Sequence, residues 1–209
     1  MAQRAARDIP DGAYVNLGIG LPTMISNFLP PDREIVLHTE NGMLGMGPVA
    51  HGEQIDPDLI NAGKIPVTEL PGAAYFHQAD SFAMMRGGHL DICVLGAFQV
   101  SATGDLANWH TGGPDSIPAV GGAMDLAIGA KQVFVIMELF TRDGVCKLVP
   151  ECSYPLTGIG CVNVVYTDYA VFRITDDGIV VQDLFGETTA EELERLTGLP
   201  LNPVSASRV

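Results

Sequence analysis

The residues in this chain best suited to chemistry stand in LHTENGMLGMGP, Leu37 to Pro48, where Glu40 closes an apolar stretch and glycines follow at once. An ionised, desolvated carboxylate is a covalent nucleophile for acyl transfer. Glycines around it let reactants approach the backbone closely. The plainer reading of the same residues is an Asn41-Gly42 turn with a solvated charge beside it. A second run, NLGIGLP from Asn16 to Pro22, leaves a strand and enters a helix. There the Asn16 side chain and free backbone amides can face a ligand, or the glycines can serve only a tight turn. It is not a dinucleotide fingerprint, because Thr23 stands where the third glycine is needed. In a third run, GGAMDLAIGAKQVFVIM, Gly122 and Ala123 begin a helix with almost no side-chain bulk. Such a start can offer amides to an oxyanion, or simply let a helix pack closely on a sheet.

Other chemistries lack their residues. His38, His51, His77, His89 and His110 are scattered, and the four cysteines form neither a CxxC pair nor a zinc-finger spacing, so no metal site is read. Neither a GxSxG elbow nor a Walker loop is present, which removes the basis for a serine hydrolase or an NTPase. The net charge of -14, from 11 basic and 25 acidic residues, leaves no cationic stripe for nucleic acid or a membrane surface. The uncharged stretch from Gly12 to Pro31 is broken by Asn16, Gly18, Gly20, Pro22 and Asn27 and does not read as a membrane span. With reduced cysteines and no apolar signal region at MAQRAARDIPDG, the expectation is a cytoplasmic protein.

The elements that must position these residues follow from the apolar pattern. YVNL, EIVLH, DICVLG and QVFVIM predict strands. Helices are predicted before Pro10 and over Thr23 to Leu29, Ser81 to Met85, Gly122 to Gly129 and Thr189 to Leu196, the last behind a threonine cap. Toward the C-terminus NVVYT, YAVFRI and GIVVQDL follow one another closely, with Asp-Asp-Gly between two of them, which is hairpin chemistry. The expectation is an α/β protein with an open mixed, mainly parallel sheet and covering helices, folded as one domain over 1–209.

Taken in order, NLGIGLP, TENGMLGMGP, MMRGGHLDICVLGAFQVSATGDLANW, VGGAMDL and CSYPLTG resemble the B subunit of 3-oxoacid CoA-transferases, from about Met1 to about Pro200. The resemblance implies the CoA-transferase (NagB/RpiA-like) fold. It also implies that Glu40 of the ENG motif is the nucleophile, carrying CoA as a glutamyl thioester. Asn16, Gly122 and Ala123 match positions that line the thioester site. YFHQADSFAMMRGGHLD and NWHTG look most like the 3-oxoadipate branch of aromatic catabolism, with Arg86, His77 and His110 as candidates for holding the distal carboxylate of the acid. A member using acetoacetate is the nearer alternative. A phosphosugar isomerase on a related sheet, or a non-catalytic ligand-binding subunit, are the more distant ones. The implied partner is a separate A subunit, in a hetero-oligomer with two of each chain, supplying the cations that this acidic chain lacks. The implied small molecules are acids and CoA esters; CoA thioester is a cosubstrate, and no tightly bound cofactor is expected.

Overall fold

The computed structural model describes residues 1–113 and 115–203. The chain divides into two compact units, one made of Ala2–Gly96 with Gly122–Gln132, the other of Ala97–Gly121 with the chain from Val133 onward. Because these segments alternate along the sequence, no single cut separates the units, and no linker was there to be read.

The first unit carries every element around Glu40. It contains α1 (Ala2–Asp8), β1 (Tyr14–Leu17), a 3-10 helix (Leu21–Phe28), β2 (Val36–Thr39), β3 (Met43–Val49), β4 (Val67–Tyr75), α2 (Gln78–Arg86), β5 (Ile92–Leu95) and α3 (Ala123–Gly129). Its strands run in the order β5-β1-β2-β3-β4. β1 pairs in parallel with β2 and β5, whereas β2 with β3 and β3 with β4 are antiparallel. All four residues of β5 and the last three of β1 are buried, the continuous burial expected of strands covered on both faces. The α1 helix turns the small side chains of Ala5 and Ala6 inward.

In the second unit, β8 (Gln132–Ile136) pairs in parallel with β10 (Val162–Tyr166), which is antiparallel to β11 (Ala170–Thr175). β11 turns through Asp176 and Asp177 into antiparallel β12 (Gly178–Leu184), the hairpin that Asp-Asp-Gly predicts. β12 is flanked in parallel by β13 (Leu201–Pro203). The last helix, α4 (Ala190–Thr197), is capped by Thr189, whose hydroxyl accepts from the Glu192 amide. β6 (Gln99–Ser101), β7 (Leu106–Ala107) and β9 (Leu148–Val149) form a separate small sheet. The α/β class and the mixed sheet are therefore as the sequence indicates.

Three local features differ from expectation. Leu21–Phe28 is 3-10 rather than α-helical: Ser26 turns its hydroxyl back to the Thr23 carbonyl, and Leu29, which precedes Pro30, is already extended. The glycine-rich segment after Glu40 is a strand, β3, although it lacks strand composition. Exposed β4, with its Pro71 and Gly72, gave no strand signal either. Among the described residues no helix is long and apolar enough to cross a membrane.

Candidate active site

Glu40 stands in the loop of the β2–β3 hairpin, where Thr39 pairs with Met43. The Gly42 amide donates to the Thr39 carbonyl at 3.1 Å and the Met43 amide to the Thr39 hydroxyl at 3.1 Å, closing the turn. Gly42 sits at φ 115°, and a Cβ there would lie 2.1 Å from the Phe76 carbonyl oxygen. Only glycine fits this position. The Phe76 amide donates to the Gly42 carbonyl at 3.0 Å, which ties the loop to the chain leading into α2. On its other side the Asn41 side-chain amide donates to the Ile60 carbonyl at 2.8 Å.

The half-buried Glu40 side chain reaches the start of α3. A Cβ built on Gly122 would meet Glu40 Oε2 at 2.5 Å and Phe82 Cζ at 3.4 Å, so the carboxylate lies against the bare Cα of Gly122. Among the described residues the Glu40 carboxylate has no hydrogen-bond or ion-pair partner. A partly enclosed carboxylate held by packing alone is free to meet a reactant. Ala123, the next residue, is the first of α3.

Asn16 is buried on β1 directly opposite His38 on β2. Its Nδ2 lies 3.0 Å from His38 Nδ1 and donates to the His38 carbonyl at 3.2 Å. Because a carbonyl can only accept, the second contact fixes which end of the Asn16 amide is nitrogen. Both N–H groups are committed to His38, and the amide oxygen is the atom left for another donor. His38 Nε2 is 2.9 Å from Ser81 Oγ, and that hydroxyl donates to the Thr39 carbonyl at 3.0 Å. Burial lowers the His38 pKa to about 4, so the ring is neutral near pH 7. Asn16, His38, Thr39, Thr23, Met46 and Asn61 also line a small cleft beside the loop.

The remaining sequence candidates separate. Arg86 donates through Nε to Asp125 at 2.6 Å, which holds its pKa above the ordinary value, and its guanidinium lies 5.6 Å from the Phe82 ring centre. Phe82 thus touches both the Arg86 side chain and the Gly122 position beside Glu40. His77 caps α2, its Nδ1 accepting from the Ala79 amide at 3.0 Å. His110 belongs to the other unit, where its Nδ1 accepts from the Gly112 amide at 2.9 Å and its ring tilts against Trp109. Sequence reasoning missed the use of His38, Ser81, Phe82 and Asp125. For His38 a signal existed: it lies on the apolar strand that ends one residue before Glu40. Ser81 and Phe82 become neighbours of the loop only through the packing of α2. Among the described residues no group of histidines, cysteines and acids could hold a metal ion.

Comparison with known proteins adds what geometry alone does not. The chain is 63% identical over 201 residues to the B subunit of the 3-oxoadipate CoA-transferase of Pseudomonas putida, covering 96% of this chain and 94% of that one. It is 58% identical to the protein of the same description from Acinetobacter baylyi, covering 96% and 93%. The human mitochondrial succinyl-CoA:3-ketoacid coenzyme A transferase 2 is 45% identical over 198 residues, covering 94% of this chain and 38% of its own. Among solved structures, an acyl-CoA transferase from Escherichia coli O157:H7 superposes with a TM-score of 0.75 at 20% identity, covering 98% of this chain and 41% of that one. The decarboxylase AibA/AibB superposes with a TM-score of 0.70 at 21% identity, covering 98% and 84%. These structures share the fold, and a fold by itself does not choose between transfer and decarboxylation. The family model described as Coenzyme A transferase matches residues 1–182, and with the identities above it places this chain in the Coenzyme A transferase family.

Proposed function

We propose that this chain is the B subunit of a cytoplasmic two-subunit CoA-transferase that moves CoA from succinyl-CoA to 3-oxoadipate through a thioester on Glu40. The observation that carries the proposal is the Glu40 carboxylate, half-buried, free of any partner among the described residues and in contact with the bare Cα of Gly122. Ionised Glu40 attacks the thioester carbonyl; the carbon–sulfur bond breaks, the CoA thiolate leaves and an acyl-glutamyl anhydride remains. The thiolate then attacks the Glu40 carbonyl carbon, releasing succinate and leaving a Glu40–CoA thioester. 3-Oxoadipate runs the same two steps in reverse. It displaces the thiolate to form a second anhydride, and attack of the thiolate on the acid's carbonyl frees Glu40.

Each tetrahedral intermediate carries an oxyanion, and one donor to such an oxygen is worth roughly 3 to 4 kcal/mol. The Gly122 and Ala123 amides are the donors proposed here. For Asn16 to contribute, its amide must exchange one of its two bonds to His38 for the substrate oxygen. Water must be kept out, since anhydride and thioester both hydrolyse. A separate A subunit, with two copies of each chain in the assembly, supplies cations for the CoA phosphates that a chain at -14 would repel. Ile19, Leu21, Met24 and Phe28 stay exposed around the 3-10 helix and are suited to a partner surface. The names of the relatives at 63% and 58% identity support 3-oxoadipate as acceptor, and the human relative at 45%, named only for a 3-ketoacid, leaves room for acetoacetate as the second reading.

The test uses the co-expressed pair. With succinyl-CoA and no acceptor, wild type should accumulate an adduct that borohydride reduces and that peptide mass spectrometry places on Glu40. Glu40→Gln, of the same shape without the charge, should assemble normally and lose about 10³-fold or more of the transfer rate. An adduct on a cysteine or on Glu138, or substantial activity in Glu40→Gln, refutes the mechanism.

A further inference from the structure

We propose that His38 and Ser81 are positioning residues for Glu40: a one-way chain of hydrogen bonds from the Asn16 amide through His38 and Ser81 to the Thr39 carbonyl holds the turn that carries the nucleophile. The proposal rests on the reading of Glu40 as nucleophile. Its direction is set at both ends. The Asn16 nitrogen, identified by its bond to the His38 carbonyl, can only donate, so His38 Nδ1 accepts and carries no proton. At the far end the Ser81 hydroxyl gives its proton to the Thr39 carbonyl, so its oxygen accepts from His38 Nε2–H. His38 is thereby held as the neutral Nε2–H tautomer, and protonating Nδ1 would set a second donor against Asn16.

The consequence falls on the peptide that joins Thr39 to Glu40. Its carbonyl accepts from Ser81 on one side and from the Gly42 amide on the other, so the plane from which the Glu40 Cα departs is held by two donors. Asn16, His38, Thr39 and Ser81 are all buried, with no bulk water to substitute for a lost partner. Glu40 itself has no such partner among the described residues. Its placement is therefore inherited from this backbone and from Gly122, and a displacement of the order of 1 Å at a reacting group can cost about 10²-fold in rate.

The experiment measures single-turnover formation of the glutamyl–CoA adduct and steady-state kinetics in the co-expressed pair for three variants. His38→Leu and Ser81→Ala should lower kcat and the adduct rate about 10- to 100-fold while KM for succinyl-CoA stays within about threefold. His38→Gln should recover to within about fivefold of wild type, because an amide spaces one acceptor and one donor much as the two ring nitrogens do. Nitrogen-15 shifts of the labelled histidine in the assembled enzyme at pH 7 should report protonation at Nε2 only, a result independent of how the variants fold. The opposite tautomer, an imidazolium, a His38→Gln variant as impaired as His38→Leu, or a wild-type adduct rate in His38→Leu each overturns the relay. The two readings fail separately: an adduct mapped elsewhere in wild type removes Glu40 as nucleophile, whereas an adduct on Glu40 formed at full rate without His38 removes the relay alone.

Discussion

Gly42 in the hairpin loop and Gly122 at the start of α3 both exclude a side chain, yet they exclude it for different reasons. A Cβ at Gly42 would run into the Phe76 carbonyl oxygen at 2.1 Å, on a backbone whose φ of 115° already disfavours every other residue. At Gly122 the φ of -88° is ordinary, and the obstacle at 2.5 Å is the tip of the Glu40 side chain. One glycine meets fixed backbone and the other a movable carboxylate. The first is thus a requirement of the fold, the second a requirement of the site, and a sequence that writes both as G hides the distinction.

Substitution by alanine should separate them. Gly42→Ala should destabilise the protein by about 3 kcal/mol or more, since neither the carbonyl nor the turn can yield cheaply; a urea midpoint close to wild type would mean that the loop relaxes. Gly122→Ala should cost no more than about 1 kcal/mol of stability, because Glu40 can swing away and a φ of -88° is open to alanine, so that only glycine's advantage at a helix N-cap is lost. Its effect should appear in turnover, about 10- to 100-fold lower, since the carboxylate is moved from its place. If Gly122→Ala proves the less stable of the two, or keeps full turnover, the division between fold glycine and site glycine fails.

Much of this was legible and some was not. The ENG run placed Glu40 and its turn correctly, because an acid between an apolar strand and Asn-Gly has few local alternatives. The contact between Glu40 and Gly122 joins residues far apart in the chain and was accessible only through resemblance. The relay partner Ser81 reads from sequence as an ordinary helix residue; it matters because α2 turns its buried Ser81 toward His38 and Thr39 of β2. The same packing gave Arg86 its partner. Asp125, on α3, holds it.

The buried relay extends the comparison to pH. The folded pKa of His38, about 4, lies below the ordinary value of 6.5, so the native state resists a proton that the unfolded chain accepts. The stability this contributes is complete above about pH 6.5 and is lost as the pH falls toward 4. Relative to a His38→Gln variant, which does not titrate there, wild type should lose about 1–3 kcal/mol over that window in urea titrations. Equal losses in both proteins would show that His38 is hydrated rather than enclosed. Near pH 7 the two should differ little, which also makes the glutamine variant a fair control for the kinetics above.

The smallest effect concerns the outer edge of the site, where Arg86 rests over Phe82 and Phe82 rests on Gly122. The pair with Asp125 at 2.6 Å is exposed on the Arg86 side and screened by solvent, so removing Arg86 should hardly move the urea midpoint. Among the described residues only Nε of the guanidinium has a partner, which leaves its terminal N–H groups for a carboxylate fork. On the proposed mechanism a dicarboxylic acceptor such as 3-oxoadipate can use that fork; acetoacetate, whose one carboxylate is taken up by the exchange with Glu40, cannot. Arg86→Ala should therefore raise KM for 3-oxoadipate about tenfold and leave acetoacetate turnover within about twofold. Arg86→Lys, which keeps the charge and loses the fork, should fall between. If both acids suffer equally, Arg86 only braces α3 through Asp125, and selectivity between the acids must come from residues other than this arginine.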